Sequence, residues 1–125
     1  MPLTKSSIIL IIEEDAPTLE LYRRELQRDY QVSACQSGED ALRLVKTNDV
    51  SVIVLEPAIE DGQGWGLLPA LQQTQAGRRV LIVLCSTQDE RKRGKLEGAA
   101  AFLVKPVLPI ELRDCITRVL QVEKL

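Results

Sequence analysis

No histidine occurs anywhere in the 125 residues, and that absence removes more chemistry than any motif adds. A Ser-His-Asp triad, a Cys-His dyad and a mixed His zinc site all need an imidazole. Cysteine offers little in its place. Cys35, Cys85 and Cys115 stand far apart and form no CxxC pair, so they read as buried or half-buried thiols in a reducing compartment. Aromatic residues make up only 3% of the chain, too few for a base-stacking platform. Neither sign of charge dominates: 16 Lys and Arg face 18 Asp and Glu, a formal net charge of -2. Nucleic acid and anionic membrane are therefore not expected as partners, whereas a protein with a small charged patch is. A membrane span is also missing. "SIILII" is far too short to cross a bilayer, is followed at once by three acids and lacks a small-residue cleavage site, so a cytoplasmic protein is expected.

What is present is an alternation. The short apolar runs Ile8–Ile12, "QVSAC", "VSVIVL", "RVLIVLC" and "AAFLV" are rich in β-branched residues, as strands buried on both faces require. Between them lie segments with helical spacing. "DAPTLELYRRELQRDY" opens with Asp15 as cap and Pro17 in the first turn, and sets Leu19, Tyr22 and Leu26 on one face. "GEDALRLVKTND" turns Ala41, Leu44 and Val45 inward, and "WGLLPALQQTQ" follows with Pro69 near its start. "QDERKRGKLEG" makes a short polar helix closed by Gly98. "LPIELRDCITRVLQVEKL" ends the chain with Ile110, Leu112, Ile116, Val119 and Leu120 as its expected buried side. Five strands alternating with five helices predict right-handed crossovers and one α/β domain over residues 1–125, its parallel sheet covered on both faces.

Ligands in such a sheet bind beyond the carboxyl ends of the strands. Glu13, Glu14 and Asp15 follow the first strand, Glu56 the third, Ser86 and Thr87 the fourth, and Lys105 with Pro106 the fifth. Singly, each has a plain explanation: acids cap helices, and lysines are solvated. Together they put carboxylates, a hydroxyl and an ammonium at one edge, which predicts a site.

These motifs give the chain a resemblance, from end to end, to the receiver domain of two-component response regulators. It is carried by "IILIIEED", "VIVLEPAIEDGQG", "CST" and, most specifically, "GAAAFLVKP". The spacings agree, with 42 residues from Glu14 to Glu56 and 49 from Glu56 to Lys105. The resemblance implies a doubly wound (βα)5, flavodoxin-like sheet of order 2-1-3-4-5 and a domain without turnover of its own. It places Glu56 at the phosphoacceptor position, where a histidine kinase would deliver phosphate, and Glu13, Glu14, Glu56 and the Ala58 carbonyl around a divalent ion, usually magnesium. Such a site would be weak or vestigial here. Ser86 takes the switching hydroxyl in preference to Cys85, Phe102 the switching aromatic and Lys105 the cation, with Lys105–Pro106 as the cis-peptide candidate. Docking in the family uses the fourth helix, fifth strand and fifth helix. Here that face would include Arg91, Lys92, Arg93, Lys95 and Phe102, and would receive a kinase, an effector or a second copy of the chain. The competing reading of "RKRGK" is a solvated helix. Trp65 is expected to be a packed anchor.

The departures weigh as much as the match. The family carries aspartate at the acceptor and usually in the acidic pair; this chain has Glu56 and Glu13-Glu14, and Glu60 where a proline is common. Each extra methylene moves a carboxylate, and a misplacement of about 1 Å can cost about 100-fold in rate. A longer acid facing Lys105 would instead imitate part of a phosphoryl group, with one charge against up to two. The expectation is a pseudo-receiver that acts as a protein-interaction module. The alternatives are a receiver phosphorylated on Glu56 or Asp61, and a cation-binding flavodoxin-like domain. "EEDAP" is no glycine-rich phosphate cradle, so nucleotide or flavin binding has no support.

Overall fold

We describe residues 7–73 and 80–124 from a computed structural model. Five strands form one parallel sheet: β1 (Ser7–Ile12), β2 (Val32–Cys35), β3 (Asp49–Leu55), β4 (Leu81–Ser86) and β5 (Ala101–Val104). Their order is β2-β1-β3-β4-β5, as expected. The helices are α1 (Ala16–Leu26), α2 (Gly38–Thr47), a four-residue turn α3 (Ile59–Gly62), α4 (Gly64–Gln72), α5 (Arg91–Leu96) and α6 (Pro109–Lys124).

Period-two alternation divides the strands between two cores. Ile8, Leu10, Ile12, Ile53, Leu55, Ile82 and Leu84 face α2 and α4, where Ala41, Val45, Leu68 and Leu71 meet them. Ile9, Ile11, Val52, Val54, Val83 and Cys85 face α1 and α6, against Tyr22, Leu26, Leu112, Cys115 and Ile116. Most of these side chains are wholly buried. At about 1.5–3 kcal/mol for each large aliphatic group removed from water, this two-sided burial drives the fold. It also explains why the strands read as continuous apolar runs. All three cysteines are free and buried, and burial pushes the Cys35 and Cys85 thiols up to about 11.

Local chemistry sets the ends. Asp15 Oδ2 accepts the Thr18 N–H at 3.1 Å, capping α1, and Ser37 caps α2 through the Asp40 N–H at 3.2 Å. Gly98, at φ +88°, closes α5: its N–H donates to Lys95 and the Ala99 N–H reaches back to Gly94 at 3.0 Å.

Several boundaries differ from expectation. Helix α1 stops at Leu26, short of Tyr30, and α5 begins only at Arg91, whose N–H donates to Asp89 Oδ1 at 3.4 Å. Strand β4 begins at Leu81; Arg79, and the Thr74–Gln75 end expected for the third helix, lie outside the described residues. Ile110 is 49% exposed rather than buried. It sits two positions from Leu112, about 200° around a helix of 3.6 residues per turn, and so on the opposite face. Cys115 fills the buried stripe instead.

Candidate functional site

The carboxyl ends of β1, β3, β4 and β5 bring four of the expected residues together. Glu13, Glu56 and Ser86 are the buried polar residues here, at 4%, 5% and 2% exposure. Lys105 Nζ lies between the two acids, bonded to Glu13 Oε1 and 3.1 Å from Glu56 Oε1. Strand pairing fixes this arrangement: the Glu13 N–H donates to Cys35 O, Glu56 N–H to Ile12 O, and Lys105 N–H to Ser86 O. The Lys105–Pro106 peptide bond is cis.

Backbone donors complete the carboxylates. Glu56 Oε1 accepts the Thr87 N–H at 3.3 Å, and Oε2 accepts the Ala58 N–H at 3.1 Å. Glu13 Oε2 accepts the Asp15 N–H at 3.2 Å. Glu56 is therefore held by one ammonium and two amides from different loops, all charge-assisted bonds. Burial acts to lower the Lys105 pKa, but the hydrogen bond and charge of Glu13, with those of Glu56, outweigh it, so the net shift is upward. The ammonium stays charged between the two acids.

Glu14, the second acid of the pair, does not join them. It is exposed, and its Oε2 accepts the Glu60 N–H at 3.4 Å. Ala58 offers its carbonyl to Gly62 N–H at 3.1 Å. The expected magnesium ligands are thus dispersed: Lys105 stands between Glu13 and Glu56, Glu14 bonds to the Glu60 N–H instead, and among the described residues no three His, Cys, Asp or Glu side chains are grouped to hold a metal ion. Magnesium demands near-octahedral oxygen ligands, and this donor set does not fit it.

At the end of β4, Ser86 Oγ accepts the Gln88 N–H at 3.1 Å, while Cys85 turns into the core with its Sγ 3.7 Å from Tyr22 Oη. Ser86, not Cys85, borders the cleft beside Pro57 and Ala58. Phe102 is half-buried on Leu84 and Gly94, and a Cβ on Gly94 would come within 2.6 Å of its Cδ2. The glycine in "RKRGK" makes room for that ring. A glycine inside a helical pattern was the available signal for this close approach.

The basic run is partly committed. Arg91 lies 3.5 Å from Asp89, and Arg93 lies 3.7 Å from Glu90, whereas Lys92 and Lys95 are exposed. Arg93 also stacks on Trp65, with its guanidinium carbon 4.2 Å from the ring centroid. Trp65 is packed, as expected, at 8% exposure.

Sequence reasoning missed the turn after β3. Glu60 and Asp61 have φ of 51° and 58°, followed by Gly62 at 90°, so three successive residues are left-handed. Non-glycine residues there pay a steric cost. Bonds from Glu60 offset it: its Oε1 accepts the Gly38 N–H of α2 at 2.6 Å, and its N–H meets Glu14.

A doubly wound parallel sheet with acids just after β1 and β3, a hydroxyl ending β4 and a lysine-proline just after β5 defines a receiver-type α/β domain. The response regulator receiver domain model matches residues 9–117, and the chain belongs to that family. Among curated proteins it is 30% identical over 99 residues to the transcriptional regulatory protein HprR of Escherichia coli, covering 78% of this chain and 44% of that protein. It is 29% identical over 112 residues to the two-component response regulator-like APRR5 of Arabidopsis thaliana, covering 85% of this chain and 20% of that protein. The chain spans less than half the length of these relatives. Among solved structures, a CheY-like receiver domain protein from Methanospirillum hungatei superposes with a TM-score of 0.83 at 20% identity, covering 97% of this chain and 98% of the other. The non-phosphorylated HemR receiver domain from Leptospira biflexa gives 0.79 at 28% identity, covering 92% and 94%. Among the described residues no helix is long and apolar enough to cross a membrane.

Proposed function

We propose that this receiver domain is an atypical one, not phosphorylated at Glu56, that signals by docking to protein partners from a fixed state. The observation that carries the reading is the set of donors that Glu56 engages. Its two oxygens take up Lys105 and the amides of Ala58 and Thr87, the donors that an incoming phosphoryl group would need. Phosphoryl transfer is mostly positioning and charge neutralisation, and here the cation is already spent on two carboxylates while the metal ligands are dispersed. The carboxylate thus acts as a built-in anion that ties the β3 and β4 loops to β5. A histidine kinase or an effector is the expected partner, with a second copy of the chain as a further one. The face of α5, β5 and α6 would present Lys92, Lys95 and Phe102 to it.

The test is phosphorylation by acetyl phosphate with magnesium, read by intact mass, on wild type, E56D and E56Q. Wild type and E56Q should remain unmodified, while E56D gains one phosphoryl group if only the methylene disables the site. A phosphoryl adduct on wild type that E56Q or D61N removes would overturn the proposal.

A further inference from the structure

Beside Glu56 lies a cleft of about 500 Å³ that the reading above leaves unused. Its walls are the Pro57–Gly62 loop and the start of the β4–α5 connection, and its lining includes Asp61, Trp65, Ser86, Gln88, Glu90 and Arg93. The charge is lopsided: two carboxylates, Asp61 and Glu90, face one guanidinium. That guanidinium is already engaged, stacked 4.2 Å over Trp65 and 3.7 Å from Glu90. Asp61 is exposed, and among the described residues its carboxylate makes no hydrogen bond or ion pair. It is held in place by the left-handed turn, whose backbone is anchored through Glu60 to Gly38 and Glu14. The cleft therefore has a positioned free acid, an aromatic floor and a cation of its own chain lying on that floor.

We infer that this cleft receives an arginine side chain of a partner protein, with Arg93 occupying the same Trp65 face in its absence. An arginine suits the lining better than a lysine. Its planar guanidinium stacks on indole and still presents N–H groups in the plane to a carboxylate, whereas an ammonium is a compact, strongly hydrated point charge. Asp61 and Glu90 supply the acceptors, and Gln88 a neutral one. On docking, the incoming guanidinium displaces Arg93 outward, where it is already half exposed. The inference rests on the reading of this domain as a protein-interaction module, but not on whether Glu56 accepts phosphate.

Trp65 is the only tryptophan in the chain, so its fluorescence reports the cleft directly. The experiment titrates the whole chain with acetyl-Gly-Arg-Gly-amide and with the same peptide carrying citrulline, which keeps the shape and removes the charge. The arginine peptide should change Trp65 emission saturably and the citrulline peptide should not. R93A, which clears the aromatic face, should bind the arginine peptide about tenfold more tightly. D61N in the R93A background should lose about that factor again. Circular dichroism on each variant confirms folding; R93A and D61N alter exposed residues. A response to arginine in R93A alone also supports the inference, since it means that Arg93 outcompetes the free peptide. Equal responses to arginine and citrulline, or none in either wild type or R93A, would overturn it. Neither result bears on E56D phosphorylation, so the two proposals fail separately.

Discussion

Replacing Lys105 with methionine tests whether the buried charge cluster is one unit. The substitution keeps the length of the stem and removes the ammonium. Glu13 and Glu56, 4% and 5% exposed, would then face each other with no cation between them. Removing one partner from a buried ion pair costs about 3–5 kcal/mol, because the other charge stays desolvated. Here two charges are stranded, yet each retains backbone donors: Asp15 N–H for Glu13, and Ala58 and Thr87 N–H for Glu56. Those bonds place the expected loss near the lower end, at about 3 kcal/mol at pH 7.

Two controls sharpen this expectation. Glu13→Gln leaves Lys105 and Glu56 as a neutral pair, so it should cost about 1 kcal/mol, the scale of one weakened hydrogen bond. The pH dependence has a defined sign. Without Lys105 the two acids repel, so the folded state raises at least one carboxylate pKa above its unfolded value near 4.3. A raised pKa means that the folded state binds the extra proton, so its stability relative to wild type rises as pH falls from 7 toward 4. Urea unfolding of wild type, K105M and E13Q at pH 7 and pH 4.5 measures both effects. A K105M loss below about 1 kcal/mol, the range of exposed ion pairs, would refute the buried cluster. So would a gap that widens on acidification.

Three further outcomes follow from neighbouring contacts. Gly94→Ala should cost about 1–3 kcal/mol through overpacking against Phe102, whose Cδ2 would lie 2.6 Å from the new Cβ; in the F102A background most of that cost should vanish in a urea double-mutant cycle. Glu60→Ala should destabilise by about 1 kcal/mol, since it loses the bond to Gly38 and keeps the left-handed backbone, whereas Glu60→Gly should lose less because it relieves that backbone. Cys85 is raised from 9.0 to about 11 by burial, so its protonated folded form contributes stability that is complete below pH 9 and lost by pH 11; Cys85→Ala should flatten that alkaline decline by at most about 2–3 kcal/mol in pH-jump denaturation.

Much of the fold was legible because it rests on one-dimensional patterns. Strands buried on both faces must be apolar without interruption, and "IILII", "VSVIVL" and "LIVLC" could hardly be anything else. The site was legible at the level of position, since parallel strands present their carboxyl ends to one edge. Its internal pairing was not. Sequence placed Glu13, Glu14 and Glu56 as one acidic set, but only the register of β1, β3 and β5 decides which acids Lys105 can reach. The left-handed turn was hidden for a different reason. "IEDG" carries one glycine, and the bonds that hold Glu60 and Asp61 at positive φ come from α2 and the β1 loop, tens of residues away.

That turn bears on how the glutamate at the end of β3 should be understood. A longer acid alone would only displace a carboxylate. In this chain the surroundings have closed around it: Ala58 turns its amide to Glu56 and its carbonyl to Gly62, while Glu60 holds Glu14 outside the cluster. These are coupled contacts of one loop, so reverting Glu56 to aspartate would shorten the acid without freeing Glu14 or the Ala58 carbonyl. E56D should therefore take phosphate slowly, and E56D with E60P faster, because proline removes the N–H that ties Glu14 and, with φ fixed at about −65°, undoes the left-handed turn. If the single variant labels as fast as the double, the loop plays no part in disabling the site.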